Sequence, residues 1–250
     1  MSGIRFTAAL LAACLLLTAA AGCKKKKGGE EVPSRYNYTP APETTEPETP
    51  TEDARDFQKA FQKDLSWQKN YLVRYRYFNA AQNVDDAEIV EKRASTAFSV
   101  EYADTGLLLY YRANGDNTDY YVIDPASDSG PVHSVIAGKQ ISSLSSMFMK
   151  LSNVNATLPA QSNVLYMYDE PVAGRGCHKY IQRAYADAKL TETVYVWIDA
   201  EYGFAMKCED YDAAGQLKTS WEATEFAAGG VTAEDVYVDL SAYQFTEEVG

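Results

Sequence analysis

From residue 70 to residue 226 the chain repeats one pattern: short runs of alternating apolar and polar side chains, separated by clusters of Asp, Asn and Gly. A period of two marks a strand with one dry face and one wet face. Such runs lie near 70–78, 88–95, 97–103, 106–113, 118–124 and 131–137. Asp104-Thr105-Gly106, Asn114-Gly115-Asp116-Asn117 and Asp128-Ser129-Gly130 join them with residues suited to tight turns. Runs resume near 163–169, 176–186, 191–199, 203–211 and 216–226. Strands do not alternate with helices, which argues against a doubly wound parallel sheet. The expectation is a mainly β, α+β fold: a long antiparallel meander curled into a barrel or half-barrel, with helices covering its concave face. Two segments have helical spacing. Phe57, Ala60, Phe61 and Leu65 form one, behind Glu52, Asp53 and Asp56, whose charge suits a helix start. Ile141, Leu144, Phe148 and Leu151 form the other, within 140–151.

The C-terminal runs can be registered. With a turn between Asp199 and Gly203, Val194, Val196 and Ile198 oppose Cys208, Met206 and Phe204 on one face. The turn Asp212-Ala213-Ala214-Gly215 then sets Trp221 beside Met206. The reverse side (Tyr195, Trp197, Lys207, Glu209, Ser220, Glu222) is mixed and predicted to be wet in part. The apolar face, with Met147 and Phe148 above it, is the candidate ligand-binding set. It also reads as a plain core, since every sheet needs one covered face. The same register puts Cys177 and Cys208 two strands apart, about 9–10 Å. A disulfide needs Cα atoms within about 7 Å, so the geometry predicts two free thiols. Export would by default favour a bridge.

Residues 1–22 read as an export signal: Arg5, then an apolar stretch from Ala8 to Leu17 that is too short to span a bilayer. Ala20-Ala21-Gly22-Cys23 resembles a bacterial lipobox, which makes Cys23 the expected lipid attachment point and the protein an exported, membrane-anchored one. Ala20 stands where Leu is usual. Lys24, Lys25, Lys26 and Lys27 follow, and each Lys adds roughly 1 kcal/mol of attraction to an anionic membrane surface. Lipid plus a basic cluster meets the two-signal condition for stable anchoring. The rest of 23–54 holds five of the nine Pro and many Thr and Glu, the composition of a tether. Residues 55–250 are the expected folded domain.

Composition narrows the function. The formal charge is −12, which argues against a nucleic-acid partner. Two His and four Cys leave no expected metal site, and no cofactor motif is present. Catalytic patterns are poor. Ser66-Trp67-Gln68-Lys69 matches S-x-x-K, and Lys218-Thr219-Ser220 is a partial K-T-G, with no S-D-N between them. Asn114, Asp116 and Asp119 read as a hairpin turn rather than a Ca²⁺ loop. The acids of 209–212 read as a solvated strand end. Tyr75, Tyr77, Tyr110, Tyr111, Tyr120 and Tyr121 read first as strand formers and second as a sugar-stacking platform.

Gly176-Cys177-His178-Lys179-Tyr180, Val196-Trp197-Ile198-Asp199, Gly203 with Lys207, Tyr211-Asp212-Ala213-Ala214-Gly215 and Thr224-Glu225-Phe226 follow one another in an order that resembles the Lol-type (LolA-like) lipoprotein-carrier family. The resemblance is strongest over 163–245. It implies a curled antiparallel sheet whose concave face, lidded by helices, holds acyl chains. It also implies a buried arginine, which no single position in the sequence claims. The functional expectation is a non-enzymatic envelope lipoprotein binding lipid or another apolar ligand. The alternative is a structural or interaction module whose acidic, Tyr-rich exterior meets a protein or glycan.

Overall fold

The computed structural model describes residues 57–60, 64–153, 158 and 164–247. The export signal, Cys23, Lys24 to Lys27 and the tether lie outside the described residues. Among those described, twelve strands form one sheet. They are β1 (Tyr71–Asn79), β2 (Val84–Arg93), β3 (Ala97–Tyr102), β4 (Leu107–Asn114), β5 (Asn117–Ile123), β6 (Val132–Ile136), β7 (Val164–Val172), β8 (Arg175–Ala186), β9 (Lys189–Asp199), β10 (Ala205–Asp212), β11 (Leu217–Ala228) and β12 (Thr246–Glu247). Three short helices accompany them: α1 (Phe57–Ala60), α2 (Met147–Leu151) and α3 (Ala233–Val236).

The order across the sheet is β12-β6-β5-β4-β3-β2-β1-β11-β10-β9-β8-β7, so the ends do not join and no barrel closes. All pairings are antiparallel except that of β12 with β6. Strand β7 nevertheless touches β11, four places along the sheet. In a flat sheet those strands would stand roughly 19 Å apart, so the sheet is curled.

The expected single meander is in fact two. Strands β1 to β6 run outward in one direction, and β7 to β11 run back inward until β11 pairs with β1, Tyr71 opposite Ala228. The chain must therefore cross from the β6 side of the sheet to its β7 edge, and the described residues after β6, among them Ile141, Phe148 and Leu158, pack on the concave face. The helix expected over 140–151 is broken within this segment. A 3₁₀ turn (Ile141–Ser143) gives way to extended backbone at Leu144, and Ser146 caps α2 by accepting from the Met149 amide.

The C-terminal segment lies on the other side. Val231, Val236, Val238, Leu240 and Phe245 pack on Ala94, Ala97, Tyr110 and Tyr121, covering the convex face of the N-terminal strands. Thr232 and Asp235 form a capping box that starts α3. The helical cover is thus not confined to the concave side.

Candidate functional site: the concave face and the segment crossing it

Alternation aims Tyr71, Val73, Tyr75 and Tyr77 of β1 at the concave side, and pairing extends this surface on both flanks. On one flank lie Ile89, Glu91, Phe98, Val100, Leu109 and Val122; on the other Trp221, Cys208, Val196 and Tyr180. The proposed ligand set falls within one cluster. Val194, Val196, Ile198, Phe204, Met206, Cys208, Trp221 and Phe148 are buried, and Met147 is half-buried against them.

The pairing inside this set differs from the expected register. Val196, not Val194, faces Cys208, and Trp221 faces Cys208 rather than Met206. The Trp221 shift arises between β10 and β11, where the register slips at Asp210 and Tyr211; that of Val196 arises at the turn after β9. Asp199 accepts from the Glu201 and Tyr202 amides, its own amide bonds the Phe204 carbonyl, and the register shifts between Ala205 and Lys207. A slip of two keeps each side chain on its face.

Phe148 fills the centre. Its side chain is fully buried, and its ring lies 5.6 Å from Tyr75, 5.8 Å from Trp67, 5.9 Å from both Phe204 and Trp221, and 6.0 Å from Tyr71. These are ordinary aromatic packing distances. Helix α2 is therefore an aromatic plug in the C-terminal half of the concave face.

A buried carboxyl holds the plug. Glu91 is 1% exposed and accepts from Tyr75 Oη at 2.8 Å, Tyr71 Oη at 3.1 Å and the Phe148 amide at 2.7 Å. Ser146 Oγ lies 2.6 Å from Tyr71 Oη, which ties the cap of α2 into the same network. Burial pushes the Glu91 carboxyl above the ordinary carboxylate range, and these donors oppose the rise. Two residues along the same face, Arg93 donates from Nη2 to the Ile141 carbonyl at 2.8 Å, with its guanidinium 4.8 Å from the Phe98 ring centroid. Arg93 is itself buried.

The N-terminal half of the concave face is less covered. Leu109, Tyr111, Tyr120, Val132 and Leu144 are half-buried there, as is Met147, whose sulfur accepts from Tyr102 Oη. Phe98, Tyr111 and Tyr120 stack in a ladder with centroids 4.2 and 4.6 Å apart.

The reverse of the C-terminal strands departs from expectation at one residue. Trp197 is buried, not wet: its Nε1 donates to Glu170, and Lys179 and Lys207 sit 4.3 and 4.7 Å from its ring. Tyr75, Tyr77, Tyr110 and Tyr121 are also buried, which removes most of the sugar-stacking platform.

The remaining candidates are dispersed. Ser66 donates to Asp64 just before β1 begins, whereas Lys218 bonds the Ala80 amide, past the far end of β1, so roughly 30 Å of strand separates them. Lys218 pairs instead with Glu192 and Asp210. Asn114 and Asn117 close a two-residue hairpin, and Asp119 accepts from Asn114 and Arg112. Asp212 caps its own turn by accepting from Ala214 and Gln216. His133 and His178 stand on β6 and β8, and no group of metal-ligating side chains gathers among the described residues. Cys177 and Cys208 are free and buried; burial pushes the Cys177 thiol up to about 12 and raises that of Cys208 as well.

No family model and no curated protein matches the sequence. Solved structures do. MucB matches at 14% identity with a TM-score of 0.41, over 78% of this chain and 66% of that one. The lipoprotein LppX of Mycobacterium tuberculosis matches at 16% identity and 0.35, over 71% and 93%. A putative outer membrane lipoprotein-sorting protein domain from Vibrio parahaemolyticus matches at 15% and 0.26, over 69% and 91%. The chain spans 62–66% of the length of the MucB chains it matches.

Proposed function

We propose that this chain is a bacterial cell-envelope lipoprotein, anchored through Cys23 on the extracytoplasmic side of the membrane, that holds a lipid or another apolar ligand on the concave face of its sheet. It performs no catalysis in this reading. The observation that carries it is the nature of the cover: the short helix α2, inserted through Phe148 and clasped through Glu91, lies over an apolar surface running the width of a curled sheet. A cover of this kind can lift without breaking any strand pairing. The half-buried residues beside Met147 give it an open flank. The Ala20-Ala21-Gly22-Cys23 motif and the lysine run behind it support the anchor, and among the described residues no helix is long and apolar enough to cross a membrane.

Two measurements test the two halves of the reading. Cys23→Ser should release the protein from membranes washed with high salt, which screens the lysine run; retention on the membrane would refute the anchor. A fluorescent long-chain fatty acid should gain emission on titration with the full chain and shift the emission of Trp221; no change in either would refute the ligand. Complete burial of Met206 and Phe148 favours a second reading, an interaction module with a permanently filled core, and the same titration separates the two.

A further inference from the structure

Arg93 has more donors than the closed structure uses. The residue is 4% exposed, Nη2 bonds the Ile141 carbonyl, and Nη1 is buried with no hydrogen-bond partner. Among the described residues no carboxylate lies within ion-pair distance of it. The nearest acid on its face is Glu91, whose oxygens already receive Tyr71, Tyr75 and the Phe148 amide. A buried guanidinium N–H without an acceptor carries the full cost of its desolvation, and natural cores seldom retain one without a use. Trp67 Nε1 is a second buried donor without a partner, in contact with Tyr71, which pairs with Arg93 across β1 and β2.

The surroundings indicate what would satisfy Arg93. Its guanidinium lies over Phe98, the first ring of the ladder that continues through Tyr111 and Tyr120. Ile141, whose carbonyl it holds, belongs to the crossing segment, and half-buried Leu144 and Met147 follow in that segment. An unsatisfied cation thus stands at the inner end of an apolar and aromatic trough, with aliphatic side chains leading outward. A ligand that fits has an acidic oxygen at one end and a hydrocarbon chain behind it.

Resting on the function proposed above, we infer that Arg93 is the head-group site of the concave face: its Nη1 donates to no neighbour in the closed state because it donates instead to an anionic oxygen, carboxylate or phosphate, of an acyl ligand whose chain lies along Phe98, Tyr111 and Tyr120. Arginine suits this role because it stays charged and presents parallel donors to either oxyanion. One donor is taken by the Ile141 carbonyl while another is free for the ligand.

The test is displacement of a bound fluorescent fatty acid from the full chain by palmitic acid, by methyl palmitate and by dipalmitoyl phosphatidic acid. A charge-assisted hydrogen bond in a buried site corresponds to about a tenfold preference or more. Palmitic acid should therefore outcompete its methyl ester at least tenfold. Whether phosphatidic acid competes at lower or higher concentration than palmitic acid decides between the phosphate and the carboxylate head, and competition by either supports the site. Arg93→Met should abolish the preference for acid over ester, and Arg93→Lys should retain part of it. Equal competition by acid and ester in the wild type overturns the inference while leaving the apolar site intact, and needs no variant. A preference that survives in Arg93→Met, with the fold verified by circular dichroism, overturns it too. If no probe binds at all, the apolar site fails and this inference fails with it.

Discussion

Replacing Phe148 by Ala tests the plug directly. The ring is fully buried and touches Trp67, Tyr71, Tyr75, Phe204 and Trp221, while its backbone amide is held independently by Glu91. The substitution therefore empties the centre of the cluster without removing the clasp. A Phe to Ala change at such a site costs about 3–5 kcal/mol, from lost transfer energy and from the cavity left behind. Urea unfolding followed by tryptophan emission reads the change well, because Trp67 and Trp221 border the ring. With a slope of about 2 kcal/mol per M, the midpoint should fall by roughly 1.5–2.5 M. The vacated space is walled by aromatic rings and should stay dry, so a small apolar guest such as toluene should restore part of the loss in the variant and do nothing for the wild type. A loss below about 1 kcal/mol would mean that the ring is not seated between these five partners, because even a partly collapsed site retains most of the transfer term. Loss without rescue by toluene would mean that the sheet closes over the gap, which contradicts a preformed concave face.

Glu91→Gln should change the pH dependence of stability. The carboxyl is raised in the fold by burial, so the folded state holds its proton more tightly than the unfolded state, whose value is about 4.3. Its contribution is then present below that value and lost as pH rises through the higher folded value; the variant should gain on the wild type as pH increases, and a constant difference in urea midpoint between pH 4 and pH 8 would contradict this. Cys177 and Cys208 should be inert towards a disulfide reagent in the native Cys23→Ser protein and react together once it unfolds, since both thiols are buried and raised. Rapid labelling of either in the native state would refute their placement.

The strands were legible because their alternation is local. The run expected at 176–186 is β8 (Arg175–Ala186), and that at 216–226 is β11 (Leu217–Ala228). The pairing of Tyr71 with Ala228 was not legible, because contact between residues so distant in sequence leaves no periodic trace. It is this pairing that turns one meander into two and brings Ile141, Phe148 and Leu158 onto the concave face. The apolar members of the site were found because they lie on strands whose parity is clear, although a side-chain-capped turn at Asp199 and a slip between Asp210 and Tyr211 moved their partners by two. Glu91 and Arg93 escaped notice for a physical reason. Ile89 and Val90 are both apolar, so the parity of β2 is ambiguous, and two charges at 91 and 93 read as a wet face when they are in fact buried. The C-terminal cover did leave a signal, Thr232 followed by Asp235 at capping-box spacing ahead of Val236.

Native mass spectrometry of the Cys23→Ser protein, exported and purified from its own host without delipidation, tests the central claim most directly. The protein should carry a non-covalent adduct of lipid mass that leaves on collisional activation, and solvent extraction should remove it and free the concave face for a fluorescent fatty acid. A single bare polypeptide mass, with no fatty acid taken up afterwards, would contradict a ligand-holding sheet and leave a filled core.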